Sequence, residues 1–199
     1  MSLDVISVPI GNPGDITLRA LEALKSCEVL IAEEPKAARA ILKSIGVPLR
    51  EMLVLNEHST PEDIRDLHLI CKAQRAALIS DAGTPGFSDP GAALIDLCHR
   101  SEIPVHPIPG ACSLTSLLSV SGQTLKQFNF RGFPPQKNPE RRNFLERCIA
   151  EPLATVFMDT PYRLEQILSE LAEIAPTRML TLGMDLTKKT EIIRSEERR

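Results

Sequence analysis

Three short loops in this sequence are rich in glycine and proline, the residue types that shape a ligand site from the backbone, and two of the loops also carry aspartates. They are PIGNPGD (9–15), DAGTPGFSDPG (81–91) and PIPGACS (107–113). Glycine lets backbone amides approach a ligand closely, and proline keeps a loop rigid, so that less entropy is lost on binding. Asp81 and Asp89 could accept hydrogen bonds from a ligand amine or hydroxyl. The pattern indicates a small-ligand site, although one such cluster alone is also typical of a plain turn.

Several common catalytic and metal-binding patterns are missing from the sequence. It contains no GxGxxG dinucleotide motif, no GxxxxGK[ST] phosphate loop and no GxSxG nucleophile elbow. The five cysteines are dispersed without a CxxC pair, and the four histidines have no metal-ligand spacing. We therefore predict reduced thiols and no bound metal.

The elements that must position these loops alternate between strands and helices. This alternation is typical of an α/β domain with a largely parallel sheet. The predicted strands are residues 5–10, 29–32, 52–55, 76–80 and a short segment at 105. The predicted helices are residues 16–24, 37–45, 61–73, 90–100 and 113–122. Ligands of open α/β sheets bind beyond the carboxyl ends of the strands, so the three loops should lie on the same side of the sheet.

Two helix starts can be assigned to particular residues. Asp15 is placed to cap the first helix, with Leu18 and Leu21 on its buried face. Ser59 or Thr60 should cap the third helix, with Pro61 in its first turn.

The composition of the chain changes after residue 122. Residues 122–138 carry a Pro-Pro pair, phenylalanines and several cations, which is typical of a linker or of a loop-rich entry to a second domain. We predict an N-terminal α/β domain over residues 1–122 and a C-terminal α+β domain over residues 123–199. The second domain should contain helices at 139–150 and 162–174 and strands at 154–158, 179–184 and 191–194.

The formal net charge of −3 provides no overall basic field for nucleic acid, so any RNA contact would have to be local. Cations and phenylalanines are interleaved between residues 126 and 147, a combination that suits phosphates and splayed bases. The residues are Lys126, Arg131, Lys137, Arg141, Arg142 and Arg147, with Phe128, Phe130 and Phe133. The same pattern also suits aromatic core residues beside a solvated helix face.

The sequence gives no sign of membrane insertion or export. No apolar run reaches the ~18 residues of a transmembrane helix. The first residues, MSLDVISVPIGN, lack the basic start and the long apolar core of a signal peptide. We therefore predict a cytoplasmic protein with no membrane partner.

The three loop segments also resemble a known family. PIGNPGDITLRALEAL, LISDAGTPGFSDPG and PIPGACSLTSLLSVSG, followed by GFPP, are similar to the tetrapyrrole (corrin/porphyrin) methylase superfamily. They are most similar to its branch of 16S ribosomal RNA (cytidine-2'-O)-methyltransferases, and MDTPYRL and DLTKKTE resemble second-domain motifs of that branch. The resemblance runs along nearly the whole chain. It implies a two-domain, homodimeric enzyme that binds S-adenosyl-L-methionine in the cleft between its domains and acts on 16S ribosomal RNA or the 30S subunit.

The resemblance also implies which residues hold the cofactor. In the first domain, Pro9 would line the cofactor site, and residues 81–84 would form its central loop. Ser113 and Leu114 would contact the cofactor at a helix start, and two second-domain residues would close the site. The full set is Pro9, Asp81, Ala82, Gly83, Thr84, Ser113, Leu114, Met158 and Asp159.

Methyl transfer to a ribose hydroxyl needs the oxygen held in line with the methyl carbon, about 3 Å away, and an acceptor for the hydroxyl proton. Glu33, Asp15 and Asp81 are carboxylates in the candidate loops, and we favour Glu33 as the catalytic one. Lys188 could hold a phosphate or lower the pKa of a hydroxyl. Each carboxylate also suits helix capping or loop hydrogen bonding.

One segment departs from the family pattern. Where the family usually has CEDTRHT, this chain has AEEPKAARA, so that Glu33 matches but Glu34, Pro35 and Lys36 replace Asp, Thr and Arg. A lysine lacks the planar fork with which arginine grips phosphate or a base. Two alternatives therefore stay open: a methyltransferase of the same fold that acts on a tetrapyrrole or another small molecule, and a cofactor binder without catalysis. A wide apolar trough would favour a macrocycle, and a basic rim would favour RNA.

Overall fold

The computed structural model describes residues 1–87 and 89–196 of the chain. The chain divides into two compact units, Met1–Ser113 and Leu114–Arg199. The prediction that two domains meet at residue 122 stays a prediction.

The first unit contains a five-stranded sheet. Its strands are β1 (Ser2–Ile6), β2 (Val29–Ala32), β3 (Met52–Val54), β4 (Arg75–Ile79) and β5 (Val105–Ile108). They lie in the order β3-β2-β4-β1-β5, and every neighbouring pair is parallel. This confirms the predicted α/β class. β1 ends at Ile6, short of the predicted residue 10, because Val8 forms only an isolated bridge with Gly83.

Helices cover both faces of this sheet. They are α1 (Leu18–Ser26), α2 (Pro35–Ser44), α3 (Pro61–Ala73) and α4 (Ala92–Arg100). Leu24 of α1 and Leu42 of α2 belong to one apolar core cluster, and Leu67 of α3 and Leu94 of α4 belong to another. Because both faces are covered, a ligand site in this unit belongs at the strand ends.

The helix starts explain where the sequence-based assignments succeed and fail. Thr60 caps α3 through a capping box with Asp63, and Pro61 is the first helical residue, as predicted. The assignment of Asp15 as the cap of α1 is wrong, because Thr17 accepts the backbone N–H of Ala20 instead. Leu18 therefore begins the helix on its solvent side and is 79% exposed, contrary to the expected buried face.

The second unit contains helices and two separate pairs of strands. Its helices are α5 (Ser113–Ser119), which begins at the last residue of the first unit, α6 (Glu140–Ala150) and α7 (Leu164–Ile174). Its strands are β6 (Phe128–Phe130), β7 (Ala154–Val156), β8 (Leu180–Met184) and β9 (Ile192–Glu196). β6 pairs with β7 in parallel, and β8 pairs with β9 antiparallel. β6 falls in a segment that was expected to be a linker or loop.

Across residues 1–87 and 89–196, no helix is long and apolar enough to cross a membrane.

Candidate functional site

The three glycine-rich loops meet at the carboxyl edge of the five-stranded sheet. Val8, next to the predicted cofactor residue Pro9, exchanges two backbone hydrogen bonds with Gly83, with N···O distances of 2.8 and 3.1 Å. Ser7, directly after β1, donates its backbone N–H to the carbonyl of Ile108 at the end of β5 (3.1 Å). The first loop is thus bonded on one side to the second loop and on the other side to the strand that precedes the third.

The Thr84 hydroxyl bonds the second loop to the third loop and to Ser7, which lies two residues before the first loop. It donates to the carbonyl of Ala111 (3.2 Å), and it lies 2.9 Å from the Ser7 hydroxyl. Because a hydroxyl has one proton, this arrangement makes Ser7 the donor to Thr84. Thr84 was predicted to contact the cofactor, whereas Ser7 was not selected from the sequence, although it lies only two residues before the first loop.

Two glycines allow the loop backbones to pack this closely. Gly83 is buried and has a φ of +78°, and a Cβ there would lie 3.2 Å from the side chain of Ile10. A Cβ on Gly110 would lie 2.9 Å from the Cβ of Ser7. Side chains at these two positions would push the loops apart. Packing therefore requires glycine at 110, and both packing and the positive φ require it at 83.

A group of carboxylates lies at the same edge. Asp81 follows β4, and its Oδ1 accepts the backbone N–H of Glu34, which follows β2 (3.2 Å). Glu33 is half-buried beside them. Burial raises the pKa of Glu33, and the negative charges of Asp81, Asp89 and Glu57 raise it further, while a hydrogen bond with the Asp81 backbone acts in the opposite direction. Glu33 therefore binds a proton more readily than an isolated glutamate does.

The two neighbouring aspartates respond to the same surroundings. Burial raises the pKa of Asp81, and the hydrogen bond with the Glu34 backbone partly offsets this. Burial also raises the pKa of Asp89, while a hydrogen bond with Ser80 lowers it and the charge of Asp81 raises it. The edge of the sheet is therefore a site where carboxylates hold or accept protons more easily than in water.

The unusual EEPK segment has a structural role at this edge. Glu34 caps α2 by accepting the backbone N–H of Lys36 at 2.8 Å, and Pro35 occupies the first helical position. Of the two adjacent glutamates, Glu34 is thus the helix cap. The capping explanation that competed with a catalytic role therefore applies to Glu34 rather than to Glu33.

The remaining predicted residues of the first unit lie in the same loops. Pro9 is half-buried, Ala82 is exposed, and Ser113 starts α5. Leu114, the first residue of the second unit, is buried. Pro9, residues 81–84 and Ser113 stay predicted cofactor residues that the fold carries on adjoining loops.

The other predicted residues belong to the second unit. Asp159 Oδ1 accepts hydrogen bonds from Arg163 Nε and from the backbone of Thr160, both at 2.6 Å. Arg163 also donates to the carbonyls of Pro134 and Pro135 at 3.2 Å, so the GFPP and MDTPYRL segments are bonded to each other. Arg163 was missed from the sequence, because its bonds to Pro134 and Pro135 join segments that are far apart in the chain.

Lys188 lies in the turn between β8 and β9. Its ammonium group is 2.8 Å from Asp185 Oδ1, and the hydrogen bond from Lys188 lowers the pKa of Asp185. Lys188 is exposed, as is Asp185. The role predicted for Lys188 as a phosphate or hydroxyl ligand stays a prediction, and the same charge already serves an ion pair in the turn.

In the segment suggested for RNA contact, three of the six cations are paired with carboxylates. Arg141 is 2% exposed and forms a salt bridge with Glu170. Arg142 pairs with Glu146 and Glu173, and Arg131 pairs with Glu151. These pairs favour the alternative interpretation of a structural helix face over a phosphate-binding cluster.

The comparisons with known proteins agree with this fold and these motifs. A family model described as Tetrapyrrole (Corrin/Porphyrin) Methylases matches residues 2–198, and the chain belongs to this family. The chain is therefore an S-adenosylmethionine-dependent methyltransferase by class.

The chain is similar to proteins named Ribosomal RNA small subunit methyltransferase I. It is 35% identical over 189 residues to the protein of Leptospira biflexa serovar Patoc. The alignment covers 95% of this chain and 79% of that protein. It is 35% identical over 193 residues to the protein of Escherichia coli O157:H7, with coverage of 96% and 67%.

Solved structures share the fold at much lower sequence identity. The methyltransferase CobJ superposes with a TM-score of 0.67 at 16% identity, covering 98% of this chain and 86% of that one. Diphthine synthase superposes with a TM-score of 0.70 at 15% identity, covering 100% and 82%. These two comparisons support the fold alone.

The residues present fit S-adenosylmethionine, the cofactor of this family. The cofactor carries an ammonium group, ribose hydroxyls and an adenine amino group, all of which donate hydrogen bonds. Among the described residues, Asp15 Oδ2 and Asp159 Oδ2 are buried carboxylate oxygens without a hydrogen-bond partner. A buried acceptor in that state is costly unless a ligand satisfies it. Asp15 lies in the first candidate loop, and Asp159 lies in the MDTPYRL segment of the second unit.

Proposed function

We propose that this chain transfers a methyl group to the 2'-oxygen of a cytidine ribose in 16S ribosomal RNA, with the 30S subunit as substrate. The observation that carries the proposal is the position of Glu33, a half-buried carboxylate at the edge where the glycine-rich loops meet. The names of the curated relatives support ribosomal RNA of the small subunit as the substrate class.

The bound cofactor supplies an electrophilic methyl group on a positively charged sulfur. In the proposed mechanism the loop residues Pro9, Gly83 and Thr84 hold it, and the hydrogen bonds of Thr84 keep the three loops in register.

Glu33 is proposed to accept the proton of the ribose hydroxyl. A hydroxyl is a weak nucleophile, so a carboxylate oxygen within hydrogen-bonding distance increases its reactivity as the proton is withdrawn. The raised pKa of Glu33, caused first by burial and then by Asp81, Asp89 and Glu57, makes its carboxylate a stronger proton acceptor than an ordinary glutamate. Asp81 serves as a positioning residue, since it bonds the backbone beside Glu33.

The proposal also includes a homodimer in the cytoplasm. Both statements rest on the resemblance to the 16S ribosomal RNA (cytidine-2'-O)-methyltransferases.

The decisive experiment measures transfer of tritium from labelled S-adenosylmethionine to 30S subunits that lack the modification. Free 16S RNA is compared in parallel, and Glu33→Ala serves as the control for catalysis. After digestion to nucleosides, the expected result is label in 2'-O-methylcytidine for the unaltered chain and little or none for Glu33→Ala.

Two other outcomes would overturn the proposal in different ways. Label on a base would contradict ribose methylation. No label on RNA, with cofactor binding intact by calorimetry, would favour either a small-molecule substrate or a cofactor binder without catalysis.

A further inference from the structure

One exposed helix face of the first unit carries only positive charge. On α2, Lys36, Arg39 and Lys43 are exposed, whereas Ala38 and Leu42 face the core. The spacing i, i+3, i+7 places the three cations on one side of the helix. α2 contains no carboxylate, and within residues 1–87 and 89–196 none of these three side chains takes part in a salt bridge. We call these three residues the α2 basic face.

This face differs from the other charged helices of the described chain. Among the described residues, every other α-helix that carries Lys or Arg also carries Asp or Glu. On α6, for example, Arg141 and Arg142 are bound by Glu170, Glu146 and Glu173. A helix face with uncompensated like charge is unfavourable for the isolated helix, so its occurrence fits a polyanionic partner better than a structural role.

The α2 basic face begins beside the candidate catalytic carboxylate. α2 starts at Pro35, directly after Glu33 and the capping residue Glu34. At a rise of 1.5 Å per residue, Lys36 and Lys43 are about 10.5 Å apart along the helix axis, a span of about three phosphates of one strand at duplex spacing. The face therefore extends away from Glu33 over a length that matches a short segment of RNA backbone.

The negative charges at the sheet edge explain why cations for phosphate would have to lie some distance from Glu33. Glu33, Asp81 and Asp89 are carboxylates whose pKa values burial raises, with mutual repulsion contributing, so the edge disfavours a phosphate group. A neutral ribose hydroxyl can approach such a site, but the flanking phosphates need cations elsewhere. The α2 basic face provides them within about three helical turns of Glu33.

We propose that the α2 basic face binds the sugar-phosphate backbone of the RNA substrate and so holds the target ribose at Glu33. This inference rests on the proposed function, because it assigns the RNA contact of the same site. Lys and Arg contacts to phosphate carry no sequence information, so the face supplies affinity and position rather than base recognition.

The test compares two charge-matched double variants. Arg39→Gln/Lys43→Gln removes one arginine and one lysine from the α2 basic face. Arg65→Gln/Lys72→Gln removes the same residue types from exposed positions on α3, which also carries Glu62, Asp63 and Asp66. Lys36 is left unchanged, because it lies in the first turn of α2 next to Glu33 and Glu34, where a change of charge would also act on the candidate catalytic site.

Binding to unmodified 30S subunits and to 16S RNA is measured by fluorescence anisotropy over a range of salt concentrations. The α2 variant should bind RNA about fivefold to tenfold more weakly at low salt, and the slope of log K against log[salt] should become shallower by about 1.4 for two contacts to single-stranded RNA. Its KM for RNA should rise with little change in kcat. The α3 variant should resemble the unaltered chain, and cofactor affinity should be the same in all three proteins.

The outcomes separate this inference from the proposed function. Equal RNA affinity and salt slope in the α2 and α3 variants would overturn the role of α2, even if the unaltered chain methylates 30S subunits. Binding that depends on α2 without methylation of a cytidine ribose would support the α2 contact and contradict the proposed reaction. No binding of the unaltered chain to either RNA would overturn both.

Discussion

Glu33 combines partial burial with three neighbouring carboxylates, and this combination has consequences that can be measured separately from substrate identity. Burial first, and the charges of Asp81, Asp89 and Glu57 next, raise the pKa of Glu33. The same surroundings make it a better proton acceptor and make its ionised form costly to fold. The proposed catalytic role and a stability cost therefore belong to one side chain.

Glu33→Gln should reduce kcat for methyl transfer by about 10²–10⁴-fold, the usual contribution of a general base, while cofactor affinity stays within about twofold. In the unaltered chain the rate should rise with pH through a pKa above the ordinary glutamate value, since the ionised form is the active one. Asp81→Asn should move this rise to lower pH, because it removes a negative charge that raises the pKa of Glu33. If Asp81→Asn does not shift the pH at which the rate rises, Glu33 is not the base that titrates.

The stability of the same variant provides an independent control. A group whose pKa is raised in the folded state loses stability as pH rises from its unfolded value through its folded value. Glu33→Gln removes that loss, so its melting temperature should exceed that of the unaltered chain at pH 7, and the difference should vanish well below pH 4, where the unaltered side chain is protonated in both states. A variant that melts lower at pH 7 would instead point to a structural role for the carboxylate.

At the scale of elements, local chemistry in the sequence predicts some boundaries well. Thr60 and Pro61 define the start of α3, because the cap and the fixed φ of proline act within a few residues. Asp15 fails as a cap for the same reason, since Thr17, two residues later, supplies an equivalent oxygen closer to the helix. β6 could not be expected from its own residues, because a three-residue strand exists only through its pairing with β7.

In the candidate site, too, some features follow from local sequence and others only from contacts between distant residues. The composition of the three loops predicts that a ligand site lies at the strand ends, and the parallel sheet brings those loops together. The hydrogen bonds of Thr84 with Ser7 and Ala111 join residues that are far apart in the chain, so no local pattern encodes them. The pairing of Arg141 with Glu170 is likewise hidden in the sequence, which explains why the cations of that segment resemble a phosphate-binding cluster.

This buried ion pair joins α6 to α7. Arg141 is almost completely buried, and its guanidinium group donates to Glu170 at 2.6–3.2 Å and to the carbonyl of Gln136 at 2.6 Å. Glu170→Ala would leave a buried positive charge without its carboxylate, so it should reduce the free energy of unfolding by about 3–5 kcal/mol. Urea denaturation at pH 7 measures the change.

A second variant separates charge burial from packing. Arg141→Met/Glu170→Leu replaces both charges with apolar side chains and should recover most of the stability lost in Glu170→Ala. The pH dependence adds a check: the hydrogen bond from Arg141 lowers the pKa of Glu170, so the stability that the pair contributes should be lost as pH falls through that lowered value. If Glu170→Ala is as stable as the unaltered chain, the pair contributes little to the packing of the two helices.

At the scale of the whole molecule, the two units differ in how their strands are protected. β1 and β4 lie inside the parallel sheet, and most of their residues are buried. The β8–β9 hairpin forms a sheet of its own and exposes apolar side chains on both strands, with Met184 half-buried and Leu180, Ile192 and Ile193 exposed by 37–40%. Local stability follows burial of apolar contacts around the hydrogen-bonded backbone, so the units should open at different free energies.

Amide hydrogen exchange measured by mass spectrometry should therefore show the slowest exchange in peptides covering β1 and β4 and much faster exchange in peptides covering β8 and β9. The experiment is run at a low and a high protein concentration, because the proposed homodimer would bury additional surface only when it assembles. Fast exchange of the hairpin at both concentrations would mean that no second copy covers it, whereas slowing at the higher concentration would place β8 and β9 in an interface between copies. Exchange of the hairpin as slow as that of β4 at both concentrations would contradict the prediction, since its exposed apolar residues provide no local source for such protection.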